Sequence, residues 1–332
     1  MTDTAITGIK DVYMRFLVTG GAGFIGSHLC EALLARGDSV ICLDNFNDYY
    51  DPAIKRRNIQ KALEREHYRL IEGDICDWDT VETLFERNAF DCVVHLAARA
   101  GVRPSIEQPR LYQKVNIEGT VNLLELSVKN RVPRFIMASS SSVYGKNQKV
   151  PFAETDPVDH PISPYAATKK ACELLAYTYH ALHAIPVTAL RFFTVYGPRQ
   201  RPDMAIHKFT RLIDRGETVP VYGDGSSRRD YTYITDILQG ILKSIENCSG
   251  YHVYNLGESK TIELKNLIAL LEQALGKKAR VQGLPDQPGD VPVTYADITR
   301  AREELDYRPE VGMEAGIEQF VKWYKASLAE ND

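Results

Sequence analysis

Phe16-Leu17-Val18-Thr19-Gly20-Gly21-Ala22-Gly23-Phe24-Ile25-Gly26 decides the fold. A short apolar run enters a glycine cluster, and an amphipathic stretch over about 24–36 leaves it, which reads as strand, tight turn and helix. Glycines there let the backbone turn sharply and approach a pyrophosphate, whose charge then meets the N-terminal amides of the helix. The spacing reads equally as G-x-G-x-x-G (Gly21, Gly23, Gly26) or G-x-x-G-x-x-G (Gly20, Gly23, Gly26). Context, more than spacing, separates it from an ordinary Gly-rich turn.

Outward from this loop, apolar runs at 39–43, 68–71, 91–97, 134–138 and 187–193 alternate with helical patterns at about 77–88, 105–129 and 164–183. Continuous Val/Ile/Leu-rich strands separated by helices predict an α/β, doubly wound parallel (Rossmann) sheet covered on both faces. Past Thr194 the texture changes. Pro and Gly interruptions give way to a helix at 235–246, a strand at 251–256 and helices near 263–275 and 314–328. The expected division is a cofactor-binding part, 14–193 plus about 235–256, interleaved with a smaller substrate-binding part, 194–234 plus about 257–330.

The 332 residues carry 40 Lys+Arg against 44 Asp+Glu, a net charge of −4 with no basic run, which argues against nucleic acid as a partner. No stretch approaches the roughly 18 apolar residues of a membrane span, and residues 1–15 lack the apolar core of a secretion signal, so a soluble, unexported chain is expected. The six cysteines are scattered, without a C-x-x-C pair or a nearby His at ligand spacing. Most of them sit in apolar segments and read as buried thiols in a reducing cytoplasm, and no metal site is expected.

The second strand ends at Asp44, where a carboxylate suits both adenosine ribose hydroxyls and repels a 2′-phosphate, favouring NAD over NADP. A simple turn cap is the other reading of Asp44. In Ser163-Pro164-Tyr165-Ala166-Ala167-Thr168-Lys169, an N-cap serine and an N1 proline place Tyr165 and Lys169 one turn apart on one helix face. An ammonium so placed stabilises a phenolate and suits Tyr165 to general-base work, although such a pair alone is more often a surface pair. Ser139-Ser140-Ser141-Ser142 lies at the C-terminal end of a predicted strand, the edge at which open α/β sheets bind ligands. It reads as a hydroxyl cluster or as an ordinary loop.

Taken together, these motifs resemble the extended short-chain dehydrogenase/reductases, specifically the nucleotide-sugar epimerases and dehydratases. The resemblance runs from Phe16 to about Tyr324 and also rests on Gly73-Asp74-Ile75, His95-Leu96-Ala97-Ala98, Val115-Asn116-Ile117 and Arg191-Phe192-Phe193. It implies NAD held by Gly20, Gly23, Phe24, Ile25, Gly26, Asp44, Asp74, Ile75, Leu96, Ala97, Ala98 and Asn116, with Lys169 on the nicotinamide ribose. It also implies Tyr165 as the base, with Ser140 and Ser142 as further catalytic hydroxyls, and a homodimer built through helices at about 105–129 and 164–183.

Within the family, Thr194-Val195-Tyr196-Gly197-Pro198, Arg201-Pro202-Asp203-Met204-Ala205 and Ala100-Gly101-Val102-Arg103 are most similar to UDP-glucuronate 4-epimerases. The implied UDP-sugar contacts are Arg103, Ser141, Ser142, Thr194, Arg201, Arg229 and Asp290. Gln287 stands where many UDP-glucose 4-epimerases carry Arg, which puts one phosphate contact in doubt. UDP-glucose or UDP-N-acetylhexosamine 4-epimerization is the alternative, and a non-catalytic NAD(H)-binding regulator would need no Tyr/Lys/Ser set.

Overall fold

Strands buried on both faces have no polar side to turn to water, and their apolar runs sort themselves by alternation. The computed structural model describes residues 13–285 and 291–329. Its first strands are β1 (Arg15–Thr19), β2 (Ser39–Asp44), β3 (Tyr68–Glu72), β4 (Cys92–His95), β5 (Phe135–Ser140) and β6 (Val187–Phe192). Among the described residues these and the strand Tyr251–Leu256 form a seven-stranded, wholly parallel sheet, ordered β3-β2-β1-β4-β5-β6 with Tyr251–Leu256 at the far edge. Phe16, Val18, Val94 and Ile136 enter the core on one face, while Leu17, Val93, Phe135 and Met137 enter the core on the other.

Connections lead one way from β1 to β2 and β3, and the other way from β4 outward. The order therefore reverses between β1 and β4, and a crevice opens beyond their C-terminal ends. Helix α1 (Phe24–Ala35) starts there, immediately after the glycine loop. The helices Trp78–Arg87, Pro164–His183, Ile234–Glu246, Leu264–Leu275 and Met313–Ala329 lie where periodicity places them.

Four features depart from the sequence reading. The stretch expected as one helix over 105–129 is broken into Val102–Glu107, Pro109–Tyr112, a π-helical segment Gln113–Glu118 and Gly119–Lys129. Pro109 lacks an N–H and so opens a new turn, and the widened π segment carries Asn116. The run at 187–193 is one strand, Val187–Phe192, but the short strand Thr194–Tyr196 that follows it, paired off the main sheet with Tyr231–Tyr233, was not anticipated. Helix α2 (Pro52–Asn58), capped by the Asp51 carboxylate on the Ala53 N–H, and the helix Ala205–Asp214 were not anticipated. Finally, Thr218–Tyr222 pairs in parallel with Arg280–Leu284.

One buried ion pair ties these layers together. Arg191 on β6 donates through Nε and Nη2 to both oxygens of Glu173 on the helix Pro164–His183, each at 2.9 Å. Ser139 Oγ adds a third bond to Glu173 at 2.6 Å, and Arg191 Nη1 reaches the Tyr144 hydroxyl at 3.0 Å. Among the described residues no helix is long and apolar enough to cross a membrane. Cys30, Cys42, Cys92 and Cys172 are buried free thiols, and Cys76 and Cys248 are half-buried ones.

Candidate active site

The crevice holds a cavity of about 260 Å³. Gly20, Gly23, Phe24, Ile25 and Gly26 form one wall, with Asp44, Asp74, Ile75, Leu96, Ala97 and Ala98 continuing it along the strand ends. Glycine is required at two of these positions for different reasons. Gly20 has φ +70°, and a Cβ there would lie 2.7 Å from the Ala97 nitrogen; a Cβ on Gly26 would overlap the Gly20 carbonyl oxygen. No side chain caps the first turn of α1, whose residues line the cavity, so its N–H groups and the positive end of its dipole suit a pyrophosphate.

Asp44 is held on two sides, Oδ2 accepting from Ala22 N–H at 3.1 Å and Oδ1 from Phe46 N–H at 2.9 Å. The turn-capping and cavity-lining readings of this residue therefore describe the same carboxylate. Lys55 on α2 is buried beside it, Nζ 3.7 Å from Oδ1. Burial lowers the affinity of Lys55 for its proton, and Asp44 works in the other direction. A 2′-phosphate brought to this carboxylate would be repelled, as the sequence reading expects. We expect equilibrium dialysis of apo-protein to give NAD binding at least about tenfold tighter than NADP, a difference of roughly 1.4 kcal/mol. Equal affinities would leave Asp44 with only its capping role.

The opposite wall is built by β5 and the helix Pro164–His183. Ser163 Oγ accepts from Ala166 N–H at 3.1 Å and Pro164 opens the helix, as the sequence requires. Tyr165 and Lys169 both line the cavity with Ser140. Lys169 is buried, its ammonium donating to the Ala138 carbonyl at 2.7 Å, and Ser140 Oγ accepts from Ser142 N–H at 3.2 Å. Behind them His95 bridges Thr19 and Thr120 at 2.8 and 3.0 Å; burial lowers its pKa to about 3, so it is a neutral strut.

The remaining sequence candidates fall in three groups. Arg201 lines the cavity, its Nε and Nη2 bound to the two oxygens of Asp203 at 3.0 and 2.9 Å. Burial works against the Asp203 charge, but Arg201 outweighs it and holds the carboxyl below its ordinary range. Asn116, Ser141, Ser142, Thr194, Arg103 and Arg229 are not among the cavity-lining residues. Asn116 is saturated inside the protein, bonding both the N–H and the carbonyl of Arg99 and the Thr168 hydroxyl, so it braces the loop after β4. Ser141 and Ser142 form a half-buried 3₁₀ turn beside Ser140, Arg103 is exposed and stacked 4.7 Å from the Tyr222 ring, and Arg229 donates to the carbonyls of Arg228 and Pro292. Asp290 and Gln287 lie outside the described residues.

Several lining residues escaped the sequence reading: Tyr49, Tyr50, Lys55, Val195 and Met204. The Asn/Asp-rich run Asn45–Asp48 marks a loop beyond the edge of β2, yet nothing in it says how far the tyrosines reach.

Comparison with known proteins agrees with this geometry. The profile of the GDP-mannose 4,6 dehydratase family matches residues 17–320. This chain belongs to the extended short-chain dehydrogenase/reductases, among the nucleotide-sugar epimerases. UDP-glucuronate 4-epimerase 5 of Arabidopsis thaliana is 47% identical over 94% of this chain and 75% of its own length. UDP-glucuronate 4-epimerase of Thermodesulfobacterium geofontis is 43% identical, covering 94% and 97%. The crystal structure of UDP-glucuronic acid 4-epimerase from Bacillus cereus with UDP-glucuronic acid and NAD superposes with a TM-score of 0.89 at 38% identity, covering 95% of this chain and all of that one.

Proposed function

We propose that the protein is an isomerase that inverts C4 of UDP-glucuronate to UDP-galacturonate through a transient 4-keto intermediate. The observation that carries this is one cavity in which Tyr165, Lys169 and Ser140 face the glycine loop and Asp44, with the cation of Arg201 on its rim. Gly20, Gly23 to Gly26, Asp44, Asp74, Ile75 and Leu96 to Ala98 fit NAD, which would supply reversible hydride acceptance at the sugar C4. Tyr165 takes the proton from the 4-hydroxyl and returns it after the sugar has turned over. Lys169, fixed by the Ala138 carbonyl, keeps positive charge beside the phenolate, and Ser140 positions the hydroxyl being deprotonated.

The substrate's nucleotide must be gripped while the hexose stays free to rotate, so we assign the grip to 194–234 and about 257–330, with Arg229 and Asp290 near the diphosphate. Ser141, Ser142 and Thr194 flank cavity-lining Ser140 and Val195, close enough in the chain to meet the sugar. Arg103 is assigned to the same substrate. Neither Ser141 nor Ser142 is an acid, so elimination of water is not equipped.

Incubation with a panel of UDP-sugars, without added reductant, tests the reading. UDP-glucuronate should be interconverted with UDP-galacturonate, with at most traces of UDP-pentose, whereas preferred conversion of UDP-glucose or a UDP-N-acetylhexosamine would overturn it. Arg201→Ala should cost UDP-glucuronate conversion roughly tenfold or more, and any residual UDP-glucose conversion much less, because a part-desolvated Arg contact to an anion is worth roughly 1.5–3 kcal/mol. Equal losses on both sugars would move Arg201 to the shared nucleotide or the scaffold.

The exposed Leu174 and Tyr177, three residues apart on the helix Pro164–His183, support a homodimer through that face. Light scattering of Leu174→Arg, expected as a monomer, checks it. Six free thiols, four of them buried, support a reducing cytoplasm as the compartment. Six titratable thiols after denaturation of protein from a reducing lysate, and only the half-buried ones reactive in the folded state, are the expected behaviour.

A further inference from the structure

Arg201 cannot offer a substrate its whole guanidinium. Asp203 occupies the Nε/Nη2 edge, and the plane rests 5.3 Å from the centre of the Tyr49 ring. What Asp203 leaves for an anion is the end-on edge, the second Nη2–H and the two Nη1–H groups. Tyr49 is itself fixed from several directions. Its hydroxyl lies against Gly101, where a Cβ would come within 2.7 Å, and reaches the Tyr112 hydroxyl. The Arg99 guanidinium is 5.7 Å from the same ring. Tyr112 in turn packs edge-on to Tyr165 at 6.2 Å. Tyr49 also lines both the main cavity and a second recess with Asp48, Arg99 and Gln108.

We propose that Tyr49 is a positioning residue that sets reaction specificity: with Asp203 it clamps Arg201 in one orientation, and Arg201 thereby pins the substrate carboxylate while the sugar carries its 4-keto group. This rests on the UDP-glucuronate reading above. A 4-keto uronate is a β-keto acid. If its C5–C6 bond turns to overlap the C4 carbonyl π system, that bond breaks, its electron pair forms a C4–C5 enolate, and carbon dioxide leaves. The enolate then takes one proton from water to give a 4-keto pentose, so the step needs no oxidant or reductant. A carboxylate held by a fixed Nη1/Nη2 edge is kept from that alignment. An Arg201 free to swing follows the carboxylate instead of restraining it.

The test is the partition of carbon, measured with UDP-glucuronate labelled with carbon-13 at C6. Wild-type protein should release no more than traces of labelled carbon dioxide per epimerization. Tyr49→Ala should raise the released fraction per turnover at least roughly fivefold, the scale of losing a part-desolvated cation–aromatic contact. Tyr49→Phe keeps the ring and should keep the wild-type partition. Asp203→Asn, at a partly exposed carboxylate, removes the other half of the clamp and should also raise the fraction. Because the readout is a ratio of products, a lower yield of folded protein does not move it, and Asp203→Asn decides the matter if Tyr49→Ala does not fold. An unchanged partition in Tyr49→Ala, or in Asp203→Asn where that variant decides, overturns the proposal, as does a Tyr49→Phe variant as leaky as Tyr49→Ala. Wild-type protein that does not convert UDP-glucuronate overturns the functional reading instead, and the proposal falls with it.

Discussion

Tyr165→Phe is expected to lower the turnover of UDP-glucuronate by roughly 10²- to 10⁴-fold, the usual contribution of a general base, while leaving NAD bound. The substitution removes one oxygen and keeps the ring, so the edge-on packing with Tyr112 survives. Lys169 is anchored by the Ala138 carbonyl, not by the phenol, and the glycine loop lies on the opposite wall. Cofactor content, measured by absorbance after denaturation, should therefore match wild type while kcat collapses. Turnover within tenfold of wild type would reject Tyr165 as the base, and loss of both turnover and NAD would make it a structural residue.

Glu173→Ala is expected to destabilise the fold by about 3–5 kcal/mol, because it strands the Arg191 charge in the interior without its partner. Both side chains are almost wholly buried, at 3% and 2% exposure, and the pair joins β6 to the helix that carries Tyr165 and Lys169. The Glu173 carboxyl also answers to pH. Burial pushes its pKa up, but the Arg191 guanidinium and the Ser139 hydroxyl outweigh burial and leave it below the ordinary carboxylate value. A depressed folded value means stability that is fully present above the unfolded carboxylate pKa of about 4.3 and lost as pH falls through the folded one. Urea denaturation at pH 7 should thus show the full deficit in the variant. Between about pH 4 and lower values the wild type should lose stability more steeply than Glu173→Ala. A deficit below about 1 kcal/mol at pH 7 would show that the neighbourhood solvates Arg191 unaided.

Most of the fold was legible because its signals are local. Apolar runs in β1, β4 and β5 are buried on both faces, and the helix Pro164–His183 announces its start through Ser163 and Pro164. The misjudged elements are those whose local preference was overruled. Periodicity over 105–129 is real, yet Pro109 and the anchoring of Asn116 on Arg99 divide it into four segments. The short strand Thr194–Tyr196 went unread because its partner is distant in the chain: the Thr194 N–H bonds the Asp230 carbonyl and the segment pairs with Tyr231–Tyr233.

The site divides along the same line. Tyr165 and Lys169 are one helical turn apart, and the glycine loop needs only its own strand and helix, so the sequence by itself determined both, as it determined the carboxylate at the end of β2. Tyr49 and Lys55 line the cavity only because the segment after Asp44 folds back over it, and Arg201 meets Tyr49 across 152 residues of chain. Asn116, by contrast, is turned inward by bonds to Arg99 and Thr168, 17 and 52 residues away. No periodicity reports such pairings. They depend on which loops the parallel sheet delivers to one edge, and on which polar groups burial then obliges to find a partner, so tertiary structure alone decided them.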